Sequence, residues 1–256
     1  MTSSNRPAHD IDAEHTPDAI RKRLMAGPTY SYLRDFVFGA IDGTVTTFAI
    51  VAGVAGADLS TAIVLILGVA NLVGDGFSMA ASNFLGTRAE QEIHQRTRRT
   101  EELHIALMPE GEREEIRQIF AAKGFRGEDL ERVVEVITAD RERWVDTMLK
   151  EEHGIPIGGP SPLRAAFSTF TAFVLVGVLP LVVFIYEEVS SGSVKEPFIW
   201  SAGVTGLAFF AIGAIKGKVV GQRWYTGGAE TLAVGGAAAG LAFLVGVLLK
   251  GIVDTV

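Results

Sequence analysis

DFVFGAIDGTVTTFAIVAGVAGA, residues 35–57, and TAIVLILGVANLVGDGFSMAASNFLG, residues 61–86, decide the fold. Each stretch exceeds the roughly 20 apolar residues that carry a helix across a bilayer. Each also holds an acid where acids are costly, Asp42 in the first and Asp75 in the second. An aspartate at the centre of a membrane helix costs about 2.5–3.5 kcal/mol on insertion scales, so such a residue marks function by default. The spacing adds detail. Asn71, Asp75 and Met79 recur at i, i+4 and i+8 and form one helical stripe, with Ser78 and Ser82 beside it. Asp35, Asp42 and Thr46 share one face of the first segment at i, i+7 and i+11. The short turn near 57–60 makes the two segments antiparallel neighbours. Asp42 and Met79 then each lie roughly 10 Å in from the same membrane face. Two carboxylates and a thioether converging there would form a path for a divalent cation. The plainer alternative is that the acids snorkel, or pair with small polar neighbours to hold helices together.

The rest of the composition agrees with a membrane protein. Of 256 residues, 48% are hydrophobic, and they are gathered into long uncharged runs separated by one charged block. That distribution indicates an all-α integral membrane protein with five transmembrane helices and a small helical insert between the second and third. The net charge of −7 argues against a nucleic-acid binder. Cysteine is absent, so a bound metal must use oxygen, imidazole or thioether ligands.

The chain divides into four parts. Residues 1–29 are polar, broken by Pro7, Pro17, Gly27 and Pro28, and read as a disordered cytosolic tail. His9 and His15 in it belong to that tail rather than to a metal site. Residues 30–86 hold the first two crossings. Residues 87–162 form the insert, and residues 163–256 hold crossings three to five. The second membrane helix has no breaker between Gly86 and Met108, and Pro109 suits the first turn of the next helix. That helix runs to about Lys123, with Gly124 as a stop signal. Another runs from about Glu128 to Ile137. A last one starts at the cap Asp140 and ends at Gly154.

The insert spaces its ligand-type residues on helix faces. Glu101 and His104 are i, i+3, as are Glu112 and Glu115, while Met148 and Glu152 are i, i+4. Helical carboxylate metal sites use such pairs. A solvated face carrying weak pairs such as Glu92–Arg96 and Glu128–Arg132 is the bland counterpart, each pair contributing about 0.2–0.5 kcal/mol. An oxidising di-iron enzyme would need Glu-x-x-His on two helices, and only Glu101–His104 fits. The sequence does not read as an enzyme.

The third segment, residues 163–186, contains Pro180 as an expected kink; residues 198–215 and 227–249 are the fourth and fifth. Gly235, Gly236, Gly240 and Gly246 permit close helix approach in the fifth, and Gly39 and Gly43 do so beside Asp42, with a contact between two copies of the first segment as one option. Glu230 is either interfacial or directed at the path. Arg21, Lys22, Arg23 and Arg34, with Lys216, Lys218 and Arg223, place the N-terminus and insert in the cytoplasm by the positive-inside bias. Short loops suit a bacterial inner membrane.

DGTVTTF at 42–48 and GFSMAASNFLGT at 76–87 carry a resemblance to the vacuolar iron transporter family, which extends from about Tyr30 onward. The resemblance implies a homodimer of five-helix protomers in the lipid bilayer that exports Fe²⁺ from the cytosol, in many members by exchange with protons. It implies roles for Asp35, Asp42 and Met79 in the membrane. In the insert it implies metal binding by Glu101, Glu112, Glu115, Met148 and Glu152. Where the family pattern has a second-helix glutamate this chain has Asn71, with Asp75 one turn closer to Met79. His104 replaces a cytosolic glutamate, and a methionine pair is reduced to Met148 followed by Leu149. Mn²⁺ is the rival cargo, and a membrane-anchored protein that sequesters iron without moving it is the rival function.

Overall fold

The computed structural model describes residues 13–27, 30–190 and 194–253. Every regular element among them is an α-helix. In the N-terminal unit, Met1–Ser31, lies α1 (Pro17–Ala26). The sequence reading expects no structure here. The local signals for a helix are nevertheless complete. Thr16 caps it by accepting from the Ala19 amide at 3.3 Å, Pro17 sits in the first turn, and Gly27 stops it at φ +67°. His15 is exposed, and His9 lies outside the described residues.

In the second unit, α2 (Leu33–Gly56), α3 (Thr61–Leu107), α9 (Pro197–Val219) and α10 (Trp224–Val253) are each long and apolar enough to cross a membrane. A bent pair, α7 (Pro162–Gly177) and α8 (Leu179–Val189), makes the fifth crossing, with a 47° break at the expected proline. The Ser201 hydroxyl donates to the Pro180 carbonyl at 2.6 Å, giving the bend's backbone a partner in a place without water. The bundle core gathers Phe48, Val51, Leu72, Phe173, Leu181 and Phe209.

α2 is the hub, packing on α3, α7, α9 and α10. Gly39 and Gly43 make this possible. A Cβ on Gly39 would lie 2.3 Å from the Thr169 carbonyl oxygen, and one on Gly43 would lie 2.5 Å from that of Phe173. The small-residue pair that the sequence offered to a second copy is thus used within the chain, against α7. Of the α10 glycines, Gly235 and Gly246 meet neighbours closely, whereas Gly236 and Gly240 face open space.

α3 runs unbroken for 47 residues, about 70 Å at 1.5 Å per residue. That is more than twice the roughly 30 Å hydrocarbon thickness. Its distal half is therefore a stalk; α4 (Pro109–Ala122) and α6 (Arg141–Glu151) fold against its end, and α5 (Gly127–Thr138) packs on both of them. Together they form a polar unit around Ile105, Ile116, Val134, Trp144, Val145 and Met148. The punctuation follows the sequence. Pro109 opens α4, Gly124 turns at φ +104°, and Asp140 caps α6 by accepting from the Arg143 amide at 2.8 Å.

Candidate metal site and membrane path

Two asparagines fix the register of α3 on α2. Asn71 Nδ2 donates to Thr46 Oγ1 at 3.2 Å and to Thr47 Oγ1 at 3.4 Å. Twelve residues on, about 18 Å along the helix, Asn83 Nδ2 donates to Asp35 Oδ1 at 2.8 Å and to Thr169 Oγ1 at 2.7 Å. Asp75 and Met79 occupy the two stripe positions between them. In this antiparallel register Asp75 is level with Asp42 and Gly43. Met79 is half-buried against the bundle core. Asp42 is half-buried, while Asp75 is exposed on the surface of the single chain. Asp35 is held by Asn83, a residue the sequence reading did not single out. Its signal was the same stripe: Asn83 is Asn71 plus three spacings of four.

The polar unit collects the second group. The stalk supplies Glu101 and His104, the first turns of α4 supply Glu112 and Glu115, and the end of α6 supplies Glu152. The Glu101 and Glu112 side chains are only 4% and 6% exposed. His104 Nδ1 lies 3.5 Å from Glu112 Oε1 and 3.9 Å from Glu101 Oε1. His153 Nε2 lies 3.0 Å from Glu101 Oε1 and 3.6 Å from Glu152 Oε2. Two donor triads result, Glu101–His104–Glu112 and Glu101–Glu152–His153, each with its ligand atoms within 4.8 Å of one another. A cleft of about 510 Å³, lined by Glu101, His104, Glu115, Glu152 and His153, opens onto them.

Burial without partners is the chemical signature. Glu101 Oε2 and Glu112 Oε2 are buried and accept no hydrogen bond. Desolvating a carboxylate oxygen in this way is costly unless a proton or a cation compensates. Burial pushes the Glu112 carboxyl up to about 7, with Glu115, Glu101 and Glu152 adding to the rise and His104 opposing it. Burial also raises Glu152, helped by Glu115 and Glu101 and opposed by His153. Ion pairs clamp the cluster: Arg98 binds Asp146 of α6 at 2.6 Å and Glu102 of its own helix at 3.2 Å.

Not every expected ligand joins the cluster. Met148 is fully enclosed in the apolar core of the unit, because Trp144, Val145 and Leu149 turn that side of α6 inward. Glu115 is exposed at the cleft. Glu230 sits 3.9 Å from Lys216 at the surface, away from the α2–α3 stripe. Glu92 pairs with Arg88 at 2.9 Å rather than with Arg96, and Glu128 and Arg132 line one surface groove without an ion pair to each other.

Fold and site together define a polytopic membrane protein with carboxylates at membrane depth and a carboxylate–imidazole cluster on a stalk. The VIT family profile matches residues 33–247, and the chain belongs to that family. It is 34% identical to a vacuolar iron transporter of Toxoplasma gondii over 96% of this chain and 84% of that one. It is 31% identical to vacuolar iron transporter 1 of Arabidopsis thaliana, over 87% and 86% respectively. A vacuolar iron transporter of Plasmodium falciparum is 28% identical over 85% of this chain and 82% of its own. The protein is a membrane transporter and not an enzyme.

Proposed function

We propose that this protein carries Fe²⁺ out of the cytosol across its membrane, in exchange for protons. The observation that carries this reading is the α2–α3 face, where Asp42, Asp75 and Met79 fall in one register set by Asn71 and Asn83. Carboxylates compensate the charge of an ion entering low dielectric. A thioether adds affinity for transition metals that Mg²⁺ and Ca²⁺ do not share. The polar unit gathers the ion first and delivers it to the mouth near Asp35. Basic residues around α1 and between α9 and α10 support a cytoplasmic N-terminus and polar unit. Asp75, exposed on the single chain at membrane depth, supports a homodimer in which a second copy covers it. Proton exchange follows from competition of metal and proton for the same oxygens.

The test is purified protein in vesicles with an acidic interior, reporting internal Fe²⁺ and internal pH together, with Mn²⁺ as competitor. Entry of Fe²⁺ with a matching rise in internal pH is expected, slowed by Mn²⁺ only when Mn²⁺ is in excess. Mn²⁺ entering faster would make manganese the cargo. Metal bound by the protein without entry of either ion would favour the sequestering reading.

A further inference from the structure

The His153 ring is not among the residues that the sequence pattern or the family resemblance marks, yet it sits closer to buried Glu101 than any other nitrogen of the cluster, at 3.0 Å. We propose that His153 is a metal ligand. It closes a second ion position, Glu101–Glu152–His153, beside Glu101–His104–Glu112, with Glu101 common to both. One imidazole in each position then tilts the unit toward ions that favour nitrogen. This rests on reading the polar unit as metal-binding.

Two observations point to a ligand rather than to an ion pair alone. Glu101 already has His153 on Oε1, but its buried Oε2 has no partner, nor does Oε2 of Glu112. A histidine present only to neutralise Glu101 leaves its Oε2 orphaned; a cation held between Glu101, Glu152 and His153 does not, and Glu112 Oε2 belongs to the neighbouring position. The ring is also set in place from below. The His153 and Glu152 amides both bond the Met148 carbonyl, at 3.3 and 3.0 Å, and Ile155 bonds that of Leu149 at 2.8 Å. Gly154 follows at φ +65°, the left-handed turn that ends the helix. Met148 and Leu149 are buried in the core. The last turn of α6 is thus anchored, and His153 and Glu152 project together into the open cleft. Imidazole suits Fe²⁺, Co²⁺ and Zn²⁺, whereas Mn²⁺ and Mg²⁺ are served by oxygen.

The experiment titrates metal-free full-length protein in detergent with Zn²⁺ and separately with Mn²⁺, for the wild type, His153→Ala, His153→Gln and Glu101→Gln. Glutamine retains a donor for Glu101 but is a poor ligand, so it preserves the local fold. Both His153 variants are expected to lose one Zn²⁺ equivalent or to bind it at least about 10-fold more weakly, with a clearly smaller loss for Mn²⁺. Unchanged Zn²⁺ binding in His153→Gln, or equal losses for both metals, overturns the assignment. The parent reading fails separately: it falls if the wild type binds neither metal, or if Glu101→Gln binds both as the wild type does.

Discussion

Glu112→Gln is expected to stabilise the metal-free protein above neutral pH while making it a much poorer binder of divalent metal. The sign follows from the carboxyl's raised value, about 7 when folded against 4.5 for an ordinary glutamate. Below the ordinary value the group is protonated whether folded or unfolded, and the substitution changes little. Between about 4.5 and 7 the unfolded chain loses the proton and the folded one keeps it, so wild-type stability falls as pH rises. Above about 7 the full cost is present, on the order of 3 kcal/mol. Glutamine never ionises and escapes that cost. Thermal unfolding in detergent from pH 4 to 8.5 should show the two proteins converging at the acid end and the variant more stable at the basic end. Zn²⁺ titration at pH 7.5 should show the opposite ranking, with the variant weaker by at least about 10–100-fold, the loss that removing even an outer-shell partner of a ligand brings. A variant less stable than the wild type at pH 8 would show that Glu112 is structural.

Gly43→Val is expected to separate α2 from α7 and to abolish transport. A first side-chain carbon at residue 43 would meet the Phe173 carbonyl oxygen at 2.5 Å and its Cα at 2.9 Å. The obstacle is backbone on the facing helix, and the approach is mutual: a side-chain carbon on Gly177 of that helix would lie 2.9 Å from the Gly43 carbonyl. Overpacking that side chains can absorb costs about 1–3 kcal/mol; with backbone in the way the cost is above that range. A fall in Tm on the order of 10 °C follows. The displacement would also break the Asn83 bridge, which spans Asp35 of α2 and Thr169 of α7. A variant that melts with the wild type would show that the α2–α7 contact gives way easily.

The membrane crossings are legible in the sequence because each needs only a local property, an uninterrupted apolar run. The punctuation of the polar unit is legible for the same reason: Pro109, Gly124 and Asp140 act on their own backbone. Partner choice is not local. Gly39 and Gly43 announce a close helix contact, but nothing nearby says that α7, about 130 residues further along the chain, supplies it. Spacing pairs Met148 with Glu152, yet Met148 is enclosed with Trp144, Val145 and Leu149 in the core while Glu152, just past the helix end, reaches the cleft. His153 escapes a periodicity argument altogether, since it lies beyond the last helical residue and is aimed by a left-handed glycine. At membrane depth the stripe from Asn71 to Met79 is legible as a pattern. Its register on α2 depends on Asn83 as much as on the residues that carry charge.

The most direct test of the account is the initial rate of Fe²⁺ entry into vesicles holding equal amounts of wild type or Asp42→Asn, with Zn²⁺ binding measured on the same preparations. Asparagine keeps the shape and removes the charge that an entering ion requires. The account predicts entry at the level of protein-free vesicles for the variant, with metal binding by the polar unit retained. Equal rates for the two proteins would contradict a path through Asp42.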